Sequence, residues 1–107
     1  MMKPKHLFMC MFLISFGLAG TDGTIRGKIT DGNGVALPGA NVILPDLSMG
    51  AASDMDGNYL ILNIPVGKYD VIVSMMGYKK TTMKGIHILM DQTLWLNFKL
   101  EEEIVAG

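Results

Sequence analysis

Cysteine occurs once in this chain of 107 residues, histidine twice and tryptophan once. Cys10 lies in the apolar leader, so no disulfide can form within the rest of the chain, and a domain in an oxidising compartment must hold together by packing alone. With His6 near the amino terminus, His87 is the one histidine of the body, and no glutamate precedes Glu101. Neither a zinc site nor a nucleophile and base pair can be assembled from that inventory. No cofactor, metal or catalytic residue is expected. His87, between Ile86 and Ile88 in a strand-like run, reads as a solvated side chain. Ser48, Ser53 and Ser74 have turn or strand explanations, and the glycines do not form a phosphate cradle ahead of a helix.

Excess positive charge is missing as well. Two of the nine basic residues, Lys3 and Lys5, fall in the leader, which leaves seven against ten acidic side chains. A net charge of −3 points to neither nucleic acid nor anionic lipid as a partner. The leader itself is legible: Met1 to Lys5 is a basic start, Leu7 to Leu18 is an apolar run broken only by Ser15 and Gly17, and Gly17-Leu18-Ala19 offers small residues for a peptidase. Residues 1–19 therefore read as a cleaved signal peptide, with Gly20 as the neighbouring cleavage option. The run is shorter than the roughly 20 residues of a spanning helix. Cys10 lies inside it after Phe8 and Met9, where a lipid-attachment box would need small residues.

No helical period follows. From Thr24 onward apolar residues recur at every second position in short runs punctuated by Gly, Pro, Asp and Asn, the pattern of strands. Ile25, Gly27 and Ile29 alternate with Arg26 and Lys28. Further strands are expected at Asn41 to Leu44, near Gly50 to Ser53, and at Tyr59 to Ile64. Tyr69, Val71 and Val73 oppose Asp70, Ile72 and Ser74 along the next, followed by Lys79 to Met83, Ile86 to Met90 and Leu94 to Leu100. Seven or eight such runs in one domain-sized chain predict an all-β, two-sheet sandwich over residues 20–101. Leu94, Leu96, Phe98 and Leu100 are the expected inward face of the last strand.

The stretch Asp54 to Val71 begins like a calcium loop. With Asp54 as position one, Asp56 and Asn58 fall at three and five, but Tyr59 occupies the glycine position and Pro65 the bidentate glutamate position. Gly57 instead suits an Asp-Gly hairpin turn with positive φ. Pro65-Val66-Gly67 is expected to make a tight connection. Two apolar residues, Ile72 and Trp95, lie on the outward faces of their strands and mark a contact surface if they are adjacent, whereas scattered exposed apolar residues are otherwise ordinary. Lys79 and Lys80 read as an edge that discourages strand-to-strand aggregation.

The order of the pieces closely resembles the carboxypeptidase regulatory-like domain. The resemblance rests on Gly27, Asp31, Leu37-Pro38-Gly39-Ala40-Asn41-Val42, Ser53-Asp54-Met55-Asp56-Gly57-Asn58-Tyr59, Pro65, Gly67-Lys68-Tyr69 and Ser74-Met75-Met76-Gly77-Tyr78. Ser53 stands where threonine is common, and Ala36 where proline or glutamate often precedes Leu37-Pro38. The resemblance implies a transthyretin/prealbumin-like Greek-key β-sandwich of about seven strands, with Pro38, Gly39, Asp56, Gly57, Tyr59, Gly67, Tyr69, Gly77 and Tyr78 as structural motif residues and no catalytic residues. Behind a signal peptide, such a module is similar to the amino-terminal extension of SusC-like TonB-dependent outer-membrane receptors, where it precedes a plug and a barrel. That implies an exported, periplasmic accessory domain for nutrient uptake. Its partners would be the plug and barrel of the same polypeptide or a receptor partner, and it would meet the membrane only through a downstream barrel. Residues 102–107 would begin a linker, and the chain would be a fragment or truncated product. The alternatives are a free-standing secreted or surface module binding carbohydrate or protein, with Trp95, Tyr59 or Tyr78 as stacking residues, and the regulatory appendage of an exported carboxypeptidase.

Overall fold

The computed structural model describes residues 22–104. The expected signal peptide, its cleavage after Ala19, Cys10 and the last three linker residues lie outside the described residues. Eight strands run in chain order: β1 (Asp22–Thr30), β2 (Asn41–Leu44), β3 (Met49–Ala52), β4 (Asn58–Pro65), β5 (Gly67–Ser74), β6 (Thr81–Ile88), β7 (Thr93–Trp95) and β8 (Phe98–Lys99), with one 3₁₀ turn at Pro45–Leu47. They form the expected all-β sandwich. One sheet has the order β4-β1-β7 with β8 also on β1, and the other has the order β3-β2-β5-β6. Alternation decides what each sheet buries: Ile25, Ile29, Tyr59, Ile61, Ile64, Phe98 and Leu100 from the first meet Val42, Leu44, Val71, Val73 and Ile88 from the second. At roughly 1.5–3 kcal/mol for each fully buried side chain, this shared core is the main support of the fold.

Two expectations about strands are corrected. Lys79 to Met83 and Ile86 to Met90 are not separate strands, because β6 continues through a bulge. Its register with β5 passes from Tyr69↔Ile86 to Val71↔Met83, so one extra residue sits on β6. Gly85 takes φ +69° there, and its amide donates to Asp70 Oδ1 at 3.1 Å, the geometry in which a left-handed glycine absorbs an inserted residue. A second bulge lets β4 keep pace with β1, with Asn63 at φ 59°.

Conversely, Leu94 to Leu100 is not one strand. It pairs in parallel with β1 as two short pieces, Thr24↔Thr93 to Arg26↔Trp95 and then Ile29↔Phe98 and Thr30↔Lys99. At the break the Leu96 carbonyl turns inward against Gly27, where any Cβ would collide with it. The Tyr59 hydroxyl donates to that carbonyl at 2.5 Å, while Asn97 Oδ1 accepts the Lys28 amide at 2.8 Å. Phe98 and Leu100 are fully buried as expected, but Leu94 and Leu96 only pack partly against the core.

Because β8 runs parallel to β1, the chain enters the sandwich at one end, at Asp22, and leaves it at the other, beyond Leu100. Hydrogen bonding continues two residues past 101: the Lys79 amide donates to the Glu101 carbonyl, Tyr78 bridges Glu102, and the Glu103 amide donates to the Gly77 carbonyl. The exposed Lys79–Glu101 ion pair at 3.8 Å adds little to this.

Candidate contact surface

The Asp54 segment is a turn, and the chain builds it twice. Asp31 Oδ1 accepts the amides of Asn33 and Val35, and Asp54 Oδ1 those of Asp56 and Asn58. Gly34 and Gly57, each three residues beyond its aspartate, take φ +83° and +81° and donate back to the carbonyls of Asp31 and Asp54. Asp54 thus spends a carboxylate oxygen on closing its own loop, as Asp31 does in a loop whose fifth position is the apolar Val35. The loop is not a hairpin, since it carries the chain from β3 in one sheet to β4 in the other.

The remaining motif residues hold corners. Ser53, the buried polar residue, accepts the Ala40 amide at 2.9 Å and donates to the Leu37 carbonyl at 2.6 Å, pinning the Leu37-Pro38-Gly39-Ala40 turn to the end of β3. Gly39 turns there with φ +82° and Gly77 at Met75–Tyr78 with φ +87°. A Cβ on Gly67 would come within 2.8 Å of the Tyr69 hydroxyl, so the tyrosine ring packs back over this glycine.

As stacking residues the aromatics separate. Tyr59 is buried, its ring 6.4 Å from that of Phe98, and burial pushes its hydroxyl well above the usual tyrosine range. Tyr78 packs partly against the core. Tyr59 is therefore not free to stack on a ligand, whereas Trp95 is 64% exposed. Ile72 and Trp95 do not combine into one surface, because they occupy the outer faces of different sheets. Ile72 is half-buried beside Ile43.

What surrounds Trp95 was not expected. Parallel register sets it beside Arg26, whose guanidinium carbon lies 4.6 Å from the indole centroid, and on the far side of Arg26 the antiparallel register places Leu60. Leu60 and Leu62 are 45% and 53% exposed. Lys28 follows along β1 and Lys99 lies on β8, both exposed. Between Thr24 and Lys28, along β4 and along β7 and β8, no carboxylate occurs; Asp54 lines a shallow depression together with Arg26, Asn58 and Leu60, and Glu101 lines another with Lys99. Among the described residues Arg26 and Lys28 have no ion-pair partner. The outward alternation of Arg26 was visible in the sequence; its contact with Trp95, 69 positions away, follows from register alone.

Elsewhere an open depression of about 440 Å³ is lined by Lys79, Lys80, Thr81, Thr82, Lys99 and Glu101. The recess beside His87, with Thr24, Gln92 and Leu94, holds about 80 Å³, against roughly 300 Å³ or more for a small-molecule pocket. Among the described residues no three His, Cys, Asp or Glu side chains are grouped to hold a metal, and no helix is long and apolar enough to cross a membrane.

The family model described as the CarboxypepD_reg-like domain matches residues 25–106. TonB-dependent receptor P3 of Formosa agariphila is 28% identical over 109 residues, covering 94% of this chain and 10% of the receptor. TonB-dependent receptor P39 of the same organism is 32% identical over 88 residues, covering 79% of this chain and 8% of the receptor. The chain therefore spans about a tenth of the length of these curated relatives. Among solved structures, a type II cohesin–X–dockerin complex from Acetivibrio cellulolyticus superposes with a TM-score of 0.68 at 17% identity, over 79% of this chain and 61% of that one. The Bacillus anthracis TIE protein does so with 0.63 at 20%, over 77% and 17%. At such identities these two likenesses concern the fold alone.

Proposed function

Because the chain belongs to the CarboxypepD_reg-like domain family, we propose that it works as a non-catalytic accessory module, the amino-terminal periplasmic extension of a TonB-dependent outer-membrane receptor engaged in nutrient uptake. The observation that carries this reading is the match of nearly the whole chain to about a tenth of two such receptors. Entry and exit at opposite ends of the sandwich suit a module set in line between a leader and further domains. The plug and barrel, in this reading, belong to the same polypeptide, and transport is their work.

Fractionation of the source cells, probed with an antibody against residues 20–107, tests the proposal. The expected result is a band far larger than 11.6 kDa in the outer membrane. A small soluble periplasmic or secreted band would overturn it and favour a second reading, a free-standing binding module. The exposed Trp95 stacked on Arg26 supports that second reading.

A further inference from the structure

The outer face of the β4-β1-β7 sheet combines three features. Trp95 is an exposed indole, Arg26 is a cation held over it with no ion-pair partner among the described residues, and Lys28 and Lys99 extend the charge along the same face. This occurs on a chain whose net charge is negative. Its acids are confined to loops, the tail and two strand positions, Asp22 and Asp70. No side-chain or ion-pair partner occupies the Arg26 guanidinium among the described residues, which leaves N–H donors with which arginine can grip a carboxylate by two parallel bonds.

We infer that this face binds a carboxylated polysaccharide, with sugar rings packed on Trp95 and Leu60 and uronate carboxylates on Arg26, Lys28 and Lys99. Area favours a glycan over a protein surface. Three strands about 4.8 Å apart, over five residues rising about 3.3 Å each, cover roughly 250 Å². A stable protein–protein interface takes about 800 Å² from each partner. A narrow strip with an aromatic platform and a row of cations matches an extended anionic chain in both shape and charge. The inference goes beyond the receptor reading and does not depend on it, since the face is complete within residues 24–99.

Trp95 is the single tryptophan, so its fluorescence reports on this face alone. Titrating the purified chain with polygalacturonate oligomers is expected to give a saturable change in Trp95 emission that weakens as salt rises, while neutral glucose oligomers give none. Arg26→Gln is expected to lower the affinity at least tenfold with circular dichroism unchanged. A Lys68→Gln, Lys84→Gln double variant, on β5 and β6 of the other sheet, should bind as the parent does. Absence of a saturable change, or undiminished binding by Arg26→Gln, would overturn the inference. So would a poly-glutamate peptide that matches polygalacturonate, because that result would assign the face to acidic peptides. The cell-fractionation result leaves each of these outcomes unaffected.

Discussion

The two sheets share one core but are assembled in different ways. The second consists of two antiparallel hairpins, β2–β3 and β5–β6, joined along β2 and β5. On its outer face Ile43 lies beside Ile72, Lys68 is opposite His87, and Asp70 is tied to the Gly85 amide. The first sheet joins the first strand of the described residues to the last two, and its parallel β1–β7/β8 seam is held by three contacts from outside the ladder: Gly27 against the Leu96 carbonyl, Tyr59 donating to that carbonyl, and Asn97 accepting the Lys28 amide. Its outer face leaves a guanidinium and an indole without acidic partners. Exposed apolar area is thus not what distinguishes a contact surface here; cations left unmatched beside it are.

Removing the seam should have the largest effect. Truncation before Leu94 deletes Phe98 and Leu100, each contributing roughly 1.5–3 kcal/mol through burial, from a domain whose whole stability is expected at about 5–15 kcal/mol. Circular dichroism should then show no cooperative melt, and an intact one would contradict the seam's importance. Next comes a glycine in each sheet. Gly27→Ala drives a methyl into the Leu96 carbonyl and should cost about 3 kcal/mol in urea unfolding. Gly85→Ala, with open space but φ +69°, should cost only about 1 kcal/mol. Equal costs would mean that the seam relaxes freely.

Tyr59→Phe removes the donor to the Leu96 carbonyl and should cost about 1 kcal/mol at neutral pH. Burial raises the folded-state pKa of Tyr59 above its unfolded value. Its stabilisation is therefore complete below about pH 10 and is lost as pH rises toward the folded value. Thermal melts should show the parent converging on the phenylalanine variant at high pH, and a constant gap would refute the burial argument. Ile72→Ser, at a half-buried position beside Ile43, should cost about 1 kcal/mol, and the smallest effect is expected from the exposed Trp95→Ser, within about 0.5 kcal/mol.

Much of this was legible in the sequence because it is local. Asn41–Leu44 is a strand as read, and the alternation of Val71 and Val73 names core residues correctly. The repeated loop was legible too, since Asp31-Gly32-Asn33-Gly34-Val35 and Asp54-Met55-Asp56-Gly57-Asn58 share one spacing. What escaped depends on contacts distant in sequence. Gly85 resembles a strand end until β5 is seen across from it, and the break at Leu96 exists because Gly27 makes room for it. Trp95 gains its meaning from Arg26, and only parallel register brings them together. Ser53 has a local reason for its turn, but its buried bonds to Leu37 and Ala40 require the sandwich.

The most direct test of the contrast between the two faces is amide chemical-shift mapping of the purified chain during titration with polygalacturonate oligomers. The account predicts perturbations confined to Thr24–Lys28, Leu60, Leu62, Thr93–Trp95 and Lys99. Shifts centred on Ile43, Ile72 and Thr82, or spread evenly over both sheets, would contradict it.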